Sequence, residues 1–454
     1  MKKRLSILFS LLLVMSLFLA ACGFNKESGG SENASSDGGE KKKEQELRVN
    51  IKTEPFSLNP GLANDSTSSN VLLQTFEGLT RIGKDGKPEN AMAKDVKVSD
   101  DQTKYTFTIR DDAKWYTNAG ENYTSNGPFK LKAWKHNDKI ELVPNENYWD
   151  KDAVKLKKVE MYMINDNNTE LSMFKNGELD WAGMPTGQLP ADALPELKKD
   201  GSLNIQEIAG TYWYKFNTEQ KPLDNVNIRK ALAYAIDRKG ITEQITKDGS
   251  VPAMAAVPPT MFEDNKKGYF KDNDVKKAKE YLEKGLKEMG LKDASELPAI
   301  KVSYNTDEKH AKIAQAVQDM WKKNLGIKVQ LDNSEWAVYI EKLHQGDYQV
   351  GRMGWLGDFN DPINFLELFR DKKGGNNDTN WENPEYKKLL IDSQKETDPK
   401  KRQAMLKKAE GIFMDEMPVA PIYFYTNAWV QDKQLKDVVM SGLGDIQIKW
   451  AHFE

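Results

Sequence analysis

Residues 300–331 carry the clearest structural pattern in the sequence: two strand-like segments, Ile300-Lys301-Val302-Ser303-Tyr304 and Ile327-Lys328-Val329-Gln330-Leu331, lie on either side of a helical one. Within the helical segment, Ile313, Val317 and Trp321 fall on one face of a helix. Two lysines and then a glycine follow, as expected at the C-terminal end of a helix. A strand, a helix and a second strand in this order favour an α/β fold.

The same mixture of strands and helices extends along the chain in both directions. Lys104 to Arg110 alternates apolar and polar residues, which predicts a strand. Glu46 to Ile51 alternates in the same way and marks the predicted start of the folded body. Ile228, Leu232 and Ile236 fall on one face of a predicted helix. We find no internal repeat, so the sequence predicts α/β lobes rather than a repeat protein.

Composition bounds the function before any motif is considered. The chain has 454 residues, enough for two or three domains of roughly 100–200 residues each. Its 66 Lys and Arg against 69 Asp and Glu give a net charge of −3, so no basic excess is available to neutralise a phosphate backbone. Nucleic-acid binding is therefore disfavoured. A single cysteine, Cys22, excludes an internal disulfide, a cysteine-rich zinc site and an iron–sulfur cluster.

The N-terminus explains that cysteine. Lys2, Lys3 and Arg4 precede an apolar segment too short for a typical membrane span, which is the pattern of an export signal. The segment ends in Leu19-Ala20-Ala21-Cys22-Gly23, which resembles the lipobox of bacterial lipoproteins. That resemblance implies a signal peptide over 1–21, a lipid-bearing Cys22 and a flexible linker over 22–46; a secretory signal with an incidental cysteine is the alternative.

Motifs for catalysis are missing from the sequence. The four histidines, His136, His310, His344 and His452, lie far apart, and no zinc-protease, serine-hydrolase, P-loop or dinucleotide motif is present. A hydrolase that uses only carboxylates stays open, because 69 acidic residues offer many pairs. We expect no enzyme activity, no cofactor and no metal.

Four segments carry a specific resemblance, in the order in which they occur in one family: Asn126-Gly127-Pro128-Phe129, Asn147-Tyr148-Trp149, Gly177-Glu178-Leu179-Asp180 and the segment from Pro222 to Arg238 (PLDNVNIRKALAYAIDR). They resemble the extracellular solute-binding proteins of family 5, the peptide and nickel class. The match runs from about Leu47 to the C-terminus and is nearest to the oligopeptide-binding lipoproteins of Gram-positive ABC importers.

The resemblance implies a two-lobed, class II periplasmic-binding-protein-like α/β fold with a hinge, closing on an extended peptide. It assigns residues 47–64, 116–209 and 427–454 to lobe I and residues 210–426 to lobe II. Residues 65–115 would form a truncated small subdomain. A receptor of this kind pairs with the peptide main chain and needs a countercharge at each end of the peptide.

The resemblance also assigns roles within the segment from Arg352 to Pro362. Asp358 would pair with the peptide's α-ammonium, while Gly354 and Trp355 would supply main-chain groups and an apolar wall. Arg352, His310 and His344 would lie near the peptide's carboxylate. Without the family resemblance, Asp358 could serve as a turn or N-cap carboxylate and Arg352 as a structural ion-pair partner. The two histidines could be capping or surface residues.

Three further residues complete the predicted site. Trp213 and Tyr425 lie in aromatic segments that resemble the family's inter-lobe crossings, and each could instead be core. Glu54 follows the first strand, where the family places a residue beside the ligand backbone, and an exposed loop glutamate is its alternative.

The chain departs from the family between Trp115 and Tyr116. There relatives continue into a helical segment, and this chain is about 90 residues shorter than they are. Half a small domain buries too little apolar area to offset its ordering entropy, so Tyr105, Phe107 and Ile109 are expected to be partly exposed or packed on the neighbouring lobe. We expect weaker or altered peptide binding as a result.

The sequence thus predicts a monomeric, lipid-anchored receptor on the extracellular face of the cell membrane, which delivers oligopeptides to the permease of an ABC importer. The alternative is a degenerate family member that acts as a peptide-signal receptor or interaction protein without import. A third possibility keeps import and changes the cargo to a sugar, nickel or haem.

Overall fold

The computed structural model describes residues 43–454 except 64, 86, 102 and 119–122. The predicted signal peptide, Cys22 and residues 22–42 of the predicted linker lie outside the described residues. Among the residues that are described, no helix combines the length and apolar character needed to cross a membrane.

The strands of the described chain are, in order, β1 Glu46–Asn50, β2 Thr80–Ile82, β3 Pro88–Asn90, β4 Ala93–Val98, β5 Tyr105–Ile109, β6 Tyr116–Asn118, β7 Tyr123–Ser125, β8 Phe129–Lys135, β9 Lys139–Pro144, β10 Lys158–Tyr162, β11 Trp181–Gly183, β12 Asn204–Phe216, β13 Val251–Pro252, β14 Ile300–Asn305, β15 Val329–Ser334, β16 Val350–Leu356, β17 Val419–Gln431, β18 Leu435–Lys436, β19 Val439–Met440, β20 Ile446–Gln447 and β21 His452–Phe453.

The α-helices are α1 Ser66–Thr75, α2 Asn167–Lys175, α3 Leu194–Lys199, α4 Val226–Tyr234, α5 Arg238–Ile241, α6 Val275–Glu288, α7 Glu308–Leu325, α8 Trp336–Gln345, α9 Ile363–Leu366, α10 Pro384–Ser393 and α11 Pro399–Glu416. Helix α7 ends at Gly326, whose φ of 71° is the left-handed conformation that glycine adopts readily.

One large mixed sheet organises the fold. Its strand order is β15-β14-β16-β12-β17-β11-β1-β10-β9-β8, with β13 beside β17. Strands β14 and β15 pair in parallel across α7, which confirms the predicted strand–helix–strand unit, although β15 begins at Val329 rather than Ile327. The predicted strands at Glu46 and Lys104 and the predicted helix at Ile228 are also present, as β1, β5 and α4.

Two main hydrophobic cores lie along this sheet. The larger, here called the lobe II core, is built from residues of β12, β14, β16 and the helices that follow, and includes Trp213 and Trp321. The lobe I core is built around β1, β8, β9 and β10 and includes Val49 and Phe129. Strands β12 and β17, of 13 residues each, run between them. The residue boundaries of the two lobes stay a prediction.

Strand β12 carries a bulge at this crossing. Glu207 pairs with Thr426 and Thr211 pairs with Phe424, so residues 208–210 of β12 lie opposite Tyr425 alone. The backbone of Ala209 bonds elsewhere: its N–H donates to Gly442 O at 2.8 Å, and its carbonyl accepts from the Gly357 N–H at 2.7 Å. Bulges of this kind bend a strand and re-aim its side chains.

Two arginines of the Pro222–Arg238 segment bind backbone carbonyls elsewhere in the chain. Arg229 is buried and its guanidinium donates to the carbonyls of Leu223, Glu416 and Met417. Arg238, also buried, donates to the carbonyl of Pro421 at 2.7 Å. Burial lowers the pKa of each guanidinium to about 10. Both side chains thereby tie the α4 region to the start of β17.

The Asn126-Gly127 pair joins the end of α1 to β8. The Asn126 amide accepts from the N–H and donates to the carbonyl of Glu77. A Cβ at Gly127 would lie 2.5 Å from the backbone carbon of Thr75, so only glycine allows this close approach.

Strands β4 and β5 form a hairpin within the predicted small subdomain, here called the subdomain hairpin. Tyr105, Phe107 and Ile109 are 57%, 37% and 50% exposed, which confirms the expected exposure of this face. Among the described residues, no other strand pairs with β4 or β5. Arg110 links the hairpin to Trp149, because its guanidinium lies 3.5 Å from the centre of the Trp149 ring.

Candidate functional site

The candidate site lies where β16, β12 and β17 run side by side. Tyr212 of β12 pairs with Gly354 of β16 and with Tyr423 of β17, and Tyr214 pairs with Arg352. Because side chains alternate along a strand, Tyr212, Arg352 and Gly354 share one face of the sheet. Trp213 and Met353 point to the opposite face.

The neighbours of Arg352 within the described residues are polar and aromatic, and none forms an ion pair with it. Its guanidinium donates to Asn305 Oδ1 at 3.2 Å and to the Tyr425 hydroxyl at 3.4 Å, and it lies 4.7 Å from the centre of the Tyr212 ring. Its Nε is buried and makes no hydrogen bond to any described group. No carboxylate of the described chain forms an ion pair with Arg352. A half-buried cation without a counterion favours the arrival of an anion.

His310 lies on the far side of Tyr212. It is 8% exposed, and its Nδ1 is 3.4 Å from the Tyr212 hydroxyl. Burial and the nearby charge of Arg352 lower the pKa of His310 to about 3, so the ring is neutral near pH 7. Asp307, rather than His310, caps α7. Arg352 is therefore the positive charge of this end of the site.

Asp358 follows β16 on an exposed loop. Its N–H donates to Asn364 Oδ1 at 2.9 Å, and its Oδ2 accepts from Asn364 Nδ2 at 3.4 Å. Among the described ion pairs, none includes Asp358. At about 3.3 Å per residue, the six steps from Arg352 to Asp358 span on the order of 20 Å. The site thus offers two unpaired charges of opposite sign at the two ends of one extended segment.

Strand β16 has a free edge between these two charges. Its neighbour β14 pairs only with Val350 and Gly351, whereas β12 pairs with β16 as far as Leu356. The outer edge from Met353 to Leu356 therefore has no strand partner among the described residues. A free strand edge is a template on which an extended peptide can pair through its main chain.

Gly354 allows Tyr425 to cross β16. A Cβ at this position would lie 2.5 Å from the Tyr425 Oη and 3.2 Å from the Thr211 carbonyl oxygen. The glycine thus keeps the Tyr425 hydroxyl within reach of Arg352. Trp355 is half-buried and packs against the lobe II core, with its indole N–H donating to Asn364 Oδ1 at 2.9 Å.

Trp213 lies on the opposite face of β12 from Tyr212, and its predicted place in the site stays a prediction. It is 1% exposed, and its ring packs edge-to-face against Phe365 and Phe369, at 6.3 Å and 5.8 Å between ring centres. The alternation of β12 turns Trp213 into the lobe II core and leaves Tyr212 on the face of Arg352.

His344 and Glu54 are engaged elsewhere. His344 Nδ1 lies 2.9 Å from Asp378 Oδ1, and the other oxygen of Asp378 accepts from Lys215 at 2.6 Å. His344 lines a polar pocket of about 440 Å³ and makes none of the contacts that join Arg352, His310 and Tyr425. Glu54 accepts from the Asn137 N–H at 2.8 Å and lies 2.5 Å from His136 Nδ1, within lobe I.

The sequence analysis missed three residues that the structure brings to the site: Tyr212, Asn305 and Asn364. Tyr212 could have been found only by knowing which face of β12 is turned to the site. Asn305 and Asn364 carry no local signal, since a polar residue at the end of a strand or in a short helix is common. Within the described residues, no three metal-ligating side chains come together to hold a metal ion.

The chain is similar to known proteins over its whole length. Residues 116–377 match a family described as bacterial extracellular solute-binding proteins, family 5 Middle. The chain is 56% identical to the oligopeptide-binding protein OppA of Bacillus subtilis (strain 168) over 550 aligned residues, which cover 100% of both chains. That alignment is longer than the 454 residues of this chain, so part of the relative has no counterpart here.

Solved structures agree in fold. A periplasmic oligopeptide-binding protein (OppAIV) from Borrelia burgdorferi superposes with a TM-score of 0.73 at 28% identity, over 90% of this chain and 100% of that one. OppA of Listeria monocytogenes, solved bound to peptide, superposes with a TM-score of 0.71 at 27% identity, over 90% and 99% of the two chains. These likenesses confirm the predicted two-lobed, class II α/β fold.

Proposed function

Because this chain belongs to family 5 of the bacterial extracellular solute-binding proteins, we propose that it is a lipid-anchored receptor that captures oligopeptides outside the cell and delivers them to an ABC importer. Its role is that of an oligopeptide-binding protein in ABC transport, and it is not an enzyme. The proposal includes a lipid anchor, a reduced strength of peptide binding and a monomeric state.

One observation supports peptide as the cargo: the free edge of β16 lies between the unpaired Arg352 and the unpaired Asp358. A peptide carries a carboxylate and an ammonium at its two ends and donors and acceptors along its backbone. In this proposal Asp358 receives the ammonium, Arg352 receives the carboxylate, and Gly354 and Trp355 supply main-chain groups and an apolar wall. Tyr425 and His310 line the Arg352 end, and peptide contacts of Glu54 and His344 stay predictions.

The anchor is proposed at Cys22, with residues 22–46 as the linker to the folded body and the extracellular face of the cell membrane as the location. A cysteine thiol that carries acyl chains holds an exported protein by burial of those chains. Cys22→Ala should leave the protein in the culture medium instead of the membrane fraction, as measured by immunoblotting of both fractions. An unchanged membrane fraction would contradict the anchor and leave the peptide site untouched.

Peptide binding is proposed to be weaker than in longer relatives, because the subdomain hairpin has an exposed apolar face where a complete subdomain would have a core. We expect tetra- and pentapeptides to bind a soluble form that begins after Cys22 at least about tenfold more weakly than they bind B. subtilis OppA. Isothermal titration calorimetry of both proteins with the same peptides measures this. Equal affinity would show that the missing segment does not contribute.

The alternative is a degenerate member that acts as a peptide-signal receptor or interaction protein without import. A ligand that binds only the native state must raise its melting temperature. If no peptide in a mixed library raises the melting temperature, an interaction protein without peptide cargo is favoured, whereas a peptide-signal receptor would still show the increase. Native mass spectrometry of protein from its own cells separates the cases further, since a retained mass identifies the cargo.

A further inference from the structure

We propose that Asn364 is a positioning residue for the ammonium end of the site, and that it sets the direction of the Asp358 carboxylate and of the Trp355 ring together. The amide is 3% exposed. Its Oδ1 accepts two N–H groups, from the Asp358 backbone and the Trp355 indole, each at 2.9 Å. Its Nδ2 lies 3.4 Å from Asp358 Oδ2. This inference rests on the proposed function, since it concerns the same site.

The position of Asn364 is fixed by the packing of α9. It belongs to α9, whose four residues are all buried, and its neighbour Phe365 packs against Trp213 in the lobe II core. The loop that carries Asp358 is held at both ends: Gly357 donates to the Ala209 carbonyl at 2.7 Å, and Asp361 accepts two bonds from Arg402 at 2.6 Å and 2.9 Å. Between these two points, Asn364 makes the only side-chain hydrogen bonds to Asp358 within the described residues.

A side-chain amide suits the positioning of the Asp358 carboxylate. A ligand ammonium needs Asp358 ionised and aimed at it, and a neutral donor can hold a carboxylate without neutralising it. An aspartate at this position would keep an oxygen for the two N–H groups and would replace the donor by a second negative charge next to Asp358. Like charges this close disfavour each other, so the Asp358 carboxylate would turn away.

The test measures discrimination for the ammonium rather than affinity alone. For one tetrapeptide sequence, the dissociation constants of the free-amine and N-acetyl forms are measured by calorimetry on the wild type, Asn364→Ala, Asn364→Asp and Asn360→Ala. Asn360 is an exposed asparagine of the same loop and serves as the matched control. The preference for the free amine should fall at least tenfold in both Asn364 variants and stay within twofold in Asn360→Ala. The N-acetyl form should bind all four proteins within about threefold.

A merely structural role gives a different result. If Asn364 only stabilised the loop, both forms of the peptide would lose affinity equally and the preference would not change, which would overturn the proposal. In an Asp358→Ala background, adding Asn364→Ala should change the preference less than twofold, because the two residues act through one contact. Should Asn364→Ala not fold, the near-isosteric Asn364→Asp carries the test. A wild type that shows no preference contradicts the proposed function itself and is thereby distinguished from a failure of Asn364.

Discussion

Replacing Asp358 by alanine is expected to remove most of the affinity for a free-amine peptide. In the closed receptor the carboxylate and the peptide ammonium would form a buried, hydrogen-bonded charge pair. Truncating one partner of such a pair costs about 2–5 kcal/mol. This loss corresponds to a roughly 30- to 4,000-fold increase in the dissociation constant. Calorimetric titration with a tetrapeptide measures the loss.

The fold of this variant should be unchanged, because Asp358 is exposed and has no ion-pair partner in the described chain. Asp415→Ala is a suitable control, since Asp415 is also an exposed aspartate, with a side chain that is 79% exposed and that pairs with Lys230. Both variants should melt at the wild-type temperature, and only Asp358→Ala should lose peptide. Retained affinity with an unchanged preference for the free amine would remove Asp358 from the site.

The second large effect is expected at Trp213, and it concerns stability. Trp213→Ala deletes a ring that is 1% exposed and packed against Phe365 and Phe369. Large-to-small changes of a buried aromatic residue cost about 3–5 kcal/mol, because the cavity collapses only in part. Urea unfolding followed by tryptophan fluorescence or circular dichroism should show this loss.

Phe107→Ala is the matched control, since it removes a large aromatic ring from the exposed face of the subdomain hairpin rather than from a core. Phe107 is 37% exposed on the subdomain hairpin, so its removal should change the free energy of unfolding by less than about 0.5 kcal/mol. Comparable losses in the two variants would mean that the hairpin is packed in solution, contrary to the arrangement described above.

Periodicity was enough to predict several elements of the fold. The strand–helix–strand unit at 300–331 is present as β14, α7 and β15, because alternation and helical spacing reflect burial on one face. The ends of elements were less predictable: Ile327 and Lys328 precede β15 as a connection, since the αL turn at Gly326 must first redirect the chain. The bulge at 208–210 has no sequence signal beyond Gly210.

The candidate site was predictable only in part. Alternation could not decide between Tyr212 and Trp213, because β12 is buried on both faces and carries aromatic residues on each. The positions of His344 and Glu54 could not be predicted, because each has a partner that is distant in sequence. His344 contacts Asp378, and Glu54 contacts His136. The peptide-binding roles of all these residues stay predictions. Asn364 was missed because its two N–H partners meet only after β16 and α9 have folded together.

The subdomain hairpin has a practical consequence. Cation–π stacking of Arg110 on Trp149 holds the base of the hairpin, while its far end, at Asp100 and Lys104, is exposed. With only one natural cysteine in the chain, a thiol introduced at Lys104 could be labelled selectively in a form that lacks Cys22. A dye at Lys104 and a second dye on lobe II would report the distance between the two lobes by fluorescence. Neither dye would alter a residue proposed to contact the peptide.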